Sequence, residues 1–389
     1  MTKQKNNTAI QKLTAPFSRH SGTHATAIPL LCDLSATINL CMVGGLCLVG
    51  NSAQAGTFTD APGALQGDVA LQHQFQVSSD SIYQEDNIVG DRTLNQHTSA
   101  LVMRIGLLNF MSADIRLPVG SESLSFSNVY EMKYDPLSQT GSYLDTPEIA
   151  DVTRSGNGLQ GTELALNFYP FHTKIYSNRG DTGNWQMGVV YRVGDKTNFY
   201  TVDDSGSRGS GIGASAFGIQ TAFSNKNKHV EPYLVMKALR SNSFTADVRA
   251  DDGTLHATSK TISPSNTVDI RGGTEIYLKD DVALASYVTL DLFGAYRYQS
   301  FQSIPSGIYL PSILESTQDT IITQTELVSI QGGVGTNIQI NSLYAFRFSG
   351  QAGFASPQRI EHIYEVNTQG TFQWGVFGEM RFRYRTTSS

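Results

Sequence analysis

The segment Thr371–Arg385 constrains the fold more than any other part of the chain. Every second residue gives Phe372, Trp374, Val376, Gly378, Met380, Phe382 and Tyr384 on one face, against Gln373, Gly375, Phe377, Glu379, Arg381, Arg383 and Arg385 on the other. Side chains alternate across a strand with period two, so this strand lies between an apolar and an aqueous medium. It runs for about fifteen residues, where strands of soluble sheets typically have ~5 to 6. Its apolar face is aromatic towards both ends. Roughly 9 to 11 tilted residues carry a strand across a bilayer, with aromatic girdles at the two interfaces. The expected fold is therefore all-β: a closed, antiparallel, up-and-down transmembrane β-barrel.

The same alternation recurs upstream. Apolar sets at Val69–Val77, Leu101–Leu107, Ile115–Val119, Leu164–Phe168, Trp185–Val193, Phe217–Phe223, Val230–Met236, Val268–Leu278, Val288–Tyr298, Val328–Ile340 and Tyr344–Phe354 each oppose a polar or small set. With the last segment this makes about twelve strands, an even number as single-chain bacterial barrels require. The barrel is expected to span 68–385. The connections 78–98, 120–161, 194–211, 240–266, 301–324 and 356–370 are long. Those at 109–112, 224–228, 280–286 and Asn341-Ser342 are short, and only 170–184 departs from the rule. Long loops on one rim and tight turns on the other are the expected asymmetry between cell exterior and periplasm. A secreted sandwich or jelly roll has no reason to sort its loops by parity. Val129–Tyr134 reads as an extension beyond the membrane.

Inward-facing candidates, and so lumen-lining ones, are Arg104, Asp114, Arg116, Glu163, Arg192, Glu231, Lys237, Asp269, Arg271, Glu275, Asp291, Arg297, Arg347, Glu379, Arg381 and Arg383. Both signs occur in similar number, unlike the one-sign ring of an ion-selective pore. Two readings follow: an ion-paired filling that stiffens a narrow barrel, or a polar conduit in which Arg297, Arg347, Arg381 and Arg383 form a ladder on adjacent strands. Girdle candidates on the outer face are Trp185, Tyr191, Tyr298, Tyr344, Phe354, Phe372, Trp374, Phe382 and Tyr384.

Catalytic and metal signals are weak. His73 lies within a strand, while His97, His172, His229, His256 and His362 lie near strand ends or in loops, none in a nucleophile motif. Asp203-Asp204 and Asp251-Asp252 lack the distal bidentate carboxylate of a calcium loop. Gly206-Ser207-Arg208-Gly209-Ser210-Gly211 has no helix after it and reads as a flexible connection rather than a phosphate loop. No cofactor or metal is implied.

At the start of the chain, Leu34–Gly50 is uncharged, follows Lys3, Lys5, Lys12 and Arg19, and precedes Ala53-Gln54-Ala55. Small residues three and one before a cut fit cleavage after Ala55, so 1–55 reads as a signal peptide. An uncleaved anchor helix is the alternative, for which the uncharged run is short. Residues 56–67 would be a periplasmic lead-in or short plug, and 386–389 a C-terminal tail. Cys32, Cys41 and Cys47, all within the signal, are the only cysteines, so no disulfide framework is available to the exported part. The net charge of −6 falls further once the basic leader is gone, which argues against nucleic acid as a partner.

The hairpin Met103-Arg104-Ile105-Gly106-Leu107-Leu108-Asn109-Phe110, followed by Ala113-Asp114-Ile115-Arg116-Leu117-Pro118-Val119, resembles one near the start of proteobacterial outer-membrane proteins assigned to transport in meta-pathway phenol degradation. Gly211–Leu239, with Val230-Glu231-Pro232-Tyr233-Leu234 after a short basic turn, is similar to a later hairpin of that family. The resemblance covers under a quarter of the chain and implies a monomeric barrel admitting small hydrophobic or aromatic compounds. The expected location is the outer membrane of a Gram-negative bacterium, with membrane lipid, lipopolysaccharide and the barrel-insertion machinery as partners. The expected function is a passive channel for small solutes of unidentified structure. The alternatives are a closed structural barrel whose acidic loops meet other surfaces and, third, a rim-located hydrolase.

Overall fold

The computed structural model describes residues 64–384 except 85–86, 130–131, 136–139, 144–150, 172–181, 196–197, 200, 204, 212, 228, 250–252, 282–285, 306–320 and 362–365. The proposed signal peptide with Ala53 and Ala55, most of the lead-in, His172, Arg385 and the tail 386–389 lie outside the described residues, as do Asp204 and Asp251-Asp252.

Twelve strands form the wall: β1 (Gly67–Gln84), β2 (Asn87–Leu108), β3 (Met111–Ser127), β4 (Glu163–Phe171), β5 (Thr182–Arg192), β6 (Ala216–Lys226), β7 (Val230–Ser241), β8 (Thr267–Asp281), β9 (Ser286–Gln299), β10 (Leu327–Gln339), β11 (Tyr344–Ala355) and β12 (Thr371–Tyr384). Each pairs antiparallel with the next. The ring closes where β1 pairs with β12, from Gly67 opposite Tyr384 to Ser79 opposite Phe372. Closure follows from the solvent: hydrocarbon offers no partner to N–H or C=O groups, so a lipid-exposed sheet cannot keep an edge. No helix among the described residues is long and apolar enough to cross a membrane.

Within the wall, alternation sets two faces. Leu71, Leu101, Leu166, Ile219, Leu292, Val334 and Met380 are exposed and face outward, while Ala70, Ala100, Asn167, Gly218, Asp291 and Glu379, each next to one of them, are buried. At the tight-turn end the Asn341 side chain accepts backbone N–H bonds from Leu343 and Tyr344, which shapes a turn of three residues, Asn341, Ser342 and Leu343, rather than the pair read from the sequence.

At the other end the wall does not stop at the membrane. β1, β2 and β3 run on as one hairpin-linked sheet through residues read from sequence as connections, Ser78–Thr98 and Gly120–Ser127. Val152–Leu159 pairs alongside the upper part of β3, whose lower part pairs with β4. Gln302–Pro305, Ile321–Gln324, Arg359–Glu361 and Val366–Thr368 continue the same sheet around to β1. Two further two-stranded ribbons, Met132–Asp135 with Thr140–Tyr143 and Phe244–Arg249 with Leu255–Ile262, lie in the long connections.

In this collar the polarity of the wall inverts. Val119 and Leu159, opposite each other, are the last outward apolar residues on their strands. Beyond them the outward face carries Ser121, Ser123, Ser125 and Ser127, and the inward face carries Leu124 and Phe126. The inward apolar residues join across the barrel: Ile82, Leu124, Phe126, Ile304, Ile322 and Ile360 belong to one buried cluster. Above the bilayer the outer face meets water, so a sheet there buries its apolar side as a soluble sheet does.

Candidate functional lumen

The lumen is built from the inward positions of the wall. The sixteen charged residues assigned to it from the sequence are buried or half-buried, and most are gathered into compact groups. On β2 and β3, the Arg104 guanidinium grips the Asp114 carboxylate, with Nε 3.1 Å from Oδ1 and Nη2 3.0 Å from Oδ2. Ser112 donates to the same carboxylate and contacts the buried Tyr169 hydroxyl at 3.1 Å. One strand further round, Glu163 accepts from Arg192 at 2.9 Å and from the Lys237 ammonium at 2.8 Å. Arg116, opposite Glu163 in register, adds to the positive field there.

A third group centres on Asp291 of β9, which is fully buried. It accepts from Arg347 at 2.5 Å, from Arg271 at 3.0 Å and from the Tyr233 hydroxyl at 2.9 Å. The Arg271 guanidinium also lies 3.6 Å from the centre of the Phe293 ring. Arg297 pairs with Asp269 at 2.5 Å, and Arg381 with Glu379 at 2.8 Å. Glu379 accepts a further bond from Gln72 across the β1–β12 closure. Glu231 takes the Tyr277 hydroxyl at 2.7 Å. Glu275, opposite both Glu231 and Asp291 in register, is buried with neither carboxylate oxygen hydrogen-bonded. Arg383 lies at the turn end, opposite Asp68.

The arginine ladder read from the sequence is corrected by this geometry. β10 lies between β9 and β11, so Arg297 is not on a strand adjacent to Arg347. Arg297, Arg347 and Arg381 each bind a carboxylate, so they do not form a run of free positive charge.

Two features escaped the sequence. The first is a neutral belt towards the collar: Gln331 donates to Gln373 at 2.8 Å and accepts from Gln351, with Gln74 and Gln76 buried on β1. Its signal in the sequence is glutamines at inward positions, which parity places without showing that they meet one another. The second is the connection after β5. Rather than a flexible link, its described residues form a hairpin in which Asp195 N–H bonds Gly213 O at 2.9 Å, Phe199 N–H bonds Gly211 O at 3.0 Å and Gly209 N–H bonds Asn198 O at 3.2 Å. Its sides are buried at Asn198, Phe199, Val202 and Ser210. The Glu122 carboxylate on the inward face of β3 receives the Gly211 N–H at 3.0 Å. Burial pushes this carboxyl above the usual range, partly offset by that backbone bond and by Gln96, Ser210 and Gln160.

The girdle candidates face outward in two sets. Phe354 with Phe372 at 5.3 Å, Trp374 with Phe75 at 5.6 Å, Tyr191 and Tyr298 lie towards the collar. Tyr344 with Phe382 at 5.4 Å, Tyr384 and Trp185 lie towards the turns, and the Trp185 indole donates to Thr221 at 2.9 Å. His73 and Ser99 meet at 2.7 Å on the outward face. Among the described residues His73 has no second hydrogen-bond partner to orient it, and no group of three metal-binding side chains occurs.

Fold and lumen together define a closed, twelve-stranded barrel of the outer-membrane type. A solved outer-membrane channel from Pseudomonas putida F1 has this fold, at 10% sequence identity over 86% of this chain and 100% of that one, with a TM-score of 0.51. A FadL homologue from Pseudomonas aeruginosa matches at 10% identity over 82% of this chain and 90% of its own, with a TM-score of 0.36. No family model and no curated protein matches the chain.

Proposed function

We propose that this protein resides in the outer membrane of a Gram-negative bacterium and is a passive channel for small solutes with an apolar or aromatic body and a hydrogen-bonding end. The observation that carries this reading is the layered interior. Paired charges occupy the membrane-spanning part, the neutral glutamine belt lies above them, and the apolar collar stands at the outer mouth. Charges of both signs in similar number make no one-sign ring to select an ion, and an apolar constriction repels a hydrated one. An amphiphilic solute can instead bury its body among Leu124, Phe126 and Ile360 while its polar end reaches the glutamines. The resemblance of the Met103–Val119 hairpin to phenol-degradation transport proteins agrees with such a solute.

The collar also favours the second reading, a closed structural barrel, because the same apolar cluster fills the mouth. Transport decides between them. Asymmetric vesicles with lipopolysaccharide in the outer leaflet and the refolded protein in the wall should take up a chromogenic aromatic alcohol at least tenfold faster than protein-free vesicles. A pentose of similar size should gain much less. Equal rates with and without protein would leave the structural barrel. For a rim hydrolase the geometry is poor: the His73–Ser99 pair lies on a sheet whose backbone N–H groups are already engaged with neighbouring strands, leaving none for an oxyanion.

A further inference from the structure

Glu275 is the lumen carboxylate that the ion pairs leave out. It is 1% exposed, and neither of its oxygens has a hydrogen-bond partner among the described residues. Its register neighbours on β7 and β9, Glu231 and Asp291, are both acids, so three carboxylates stand side by side on the inward face. The inward cations of these strands are bound elsewhere: Arg271, together with Arg347 of β11, to Asp291, Arg297 to Asp269, and Lys237 to Glu163. A buried carboxylate with neither donor nor counter-charge is costly, and a site that keeps one has a use for it.

Thr289 supplies a second free acceptor. It lies two residues before Asp291 on β9 and opposite Tyr277, so it is the diagonal neighbour of Glu275, roughly 7 to 8 Å away across the strand pair. Its hydroxyl oxygen is buried and also without a partner. An ammonium carries three N–H donors on one small charged centre and can bridge a carboxylate and a hydroxyl so placed. Water would satisfy the oxygens and leave the charge. A metal ion needs further converging ligands, and no such group occurs among the described residues.

Aromatic rings flank the acid row on both sides. Towards the turns, Tyr277 meets Tyr287 edge to face with ring centres 5.6 Å apart. Towards the collar, Tyr233 and Phe293 pack together across Gly273, where a Cβ would come within 2.8 Å of the Tyr233 ring. Ring faces attract cations, and these already do: the Lys226 ammonium lies 4.0 Å from the centre of Tyr277, and the Arg271 guanidinium stands over Phe293.

We propose that Glu275 and Thr289 form a docking point for a primary ammonium carried on an aromatic body, so that arylalkylamines are the solutes the lumen favours. The inference rests on the channel reading above and names the hydrogen-bonding end of the solute. The aromatic body carries the solute past the collar. The ammonium then supplies the positive charge that Glu275 lacks, and the solute's ring meets the aromatic side chains beside the acid row.

The test uses the full chain, in detergent and in vesicles, with three probes of one body: phenethylammonium, phenethyl alcohol and hydrocinnamate. By calorimetry at neutral pH the ammonium should bind about tenfold more tightly than the alcohol, as a hydrogen bond to a charged group exceeds one between neutral groups, and the carboxylate should bind least. Glu275→Gln keeps the shape and removes the charge; it should abolish the ammonium preference and leave alcohol affinity within about twofold. Thr289→Val should weaken ammonium binding about threefold, and it carries the test should Glu275→Gln fail to insert. In vesicles, phenethylammonium should inhibit alcohol uptake by the parent near its Kd and should not inhibit uptake by Glu275→Gln. Equal affinity for ammonium and alcohol, or a preference that survives in Glu275→Gln, would overturn the docking point and leave the channel standing. Alcohol uptake untouched by bound ammonium would take the site off the solute's path and overturn it as well. The expected binding in a barrel whose vesicles take up none of the three probes would keep the docking point and overturn the channel reading.

Discussion

At the scale of residues, the lumen shows how charge can be kept inside a barrel. Asp291 is the counter-charge of Arg347, which is itself only 1% exposed, and it also holds Arg271 and the Tyr233 hydroxyl. Removing one partner of a buried pair leaves the other desolvated and uncompensated, at about 3 to 5 kcal/mol. Asp291→Asn should lower stability by that amount in denaturant unfolding of the vesicle-bound protein. Replacing Asp291 and Arg347 together by Leu and Met should recover only part of the loss, since an apolar pair needs no compensation of its own but Arg271 and the Tyr233 hydroxyl still lose the carboxylate they share. A loss below about 1 kcal/mol for Asp291→Asn would show that the Arg347 guanidinium finds water in the lumen.

At the scale of elements, the twelve wall strands were legible because period-two alternation between lipid and lumen survives in each of them, from the β1 set Val69, Leu71, Phe75 and Val77 to the β12 set that ends on Tyr384. The collar was not, because the rule reverses there. Ser121, Ser123 and Ser125 alternate with Glu122, Leu124 and Phe126, a pattern that reads as a polar loop when outward apolar residues are sought. The arginine ladder failed for another reason: inward orientation follows from parity, but neighbourhood needs the strand order, and β10 separates Arg297 from Arg347. The hairpin after β5 was hidden by its composition, since Gly206–Gly211 has no apolar period and its burial depends on Glu122, distant in sequence. The reversal of polarity has a measurable consequence. Ile219→Arg, at an outward position midway along β6 that is 61% exposed, places a charge in hydrocarbon and should cost ~2 to 4 kcal/mol. Ser123→Arg, outward on the collar, meets water and should change stability by no more than about 0.5 kcal/mol. Comparable losses at both sites would mean that the bilayer reaches past Val119.

At the scale of the whole molecule, one continuous sheet is stabilised by two solvents in opposite senses. The lower wall keeps its polar side inward because lipid surrounds it, and its closure is enforced by backbone groups that have nowhere else to bond. The collar keeps its apolar side inward because water surrounds it, and its cohesion comes from the cluster around Phe126, Ile322 and Ile360. The two parts share strands β1, β2 and β3 but not their source of stability, so they should fail separately. Phe126 is buried at 1% exposure, and truncating such a residue costs ~3 to 5 kcal/mol even without introducing a charge. Phe126→Asp should therefore loosen the collar while leaving the wall closed. Limited proteolysis of the variant in vesicles should cut between Ser78 and Thr98 and beyond Val119, sites that stay protected in the parent. The fragments covering the spanning segments should persist, and the unheated protein should still migrate as a compact barrel on a detergent gel. Complete digestion would show that the collar's core is what closes the barrel, and protection unchanged from the parent would show that the collar does not depend on its apolar interior.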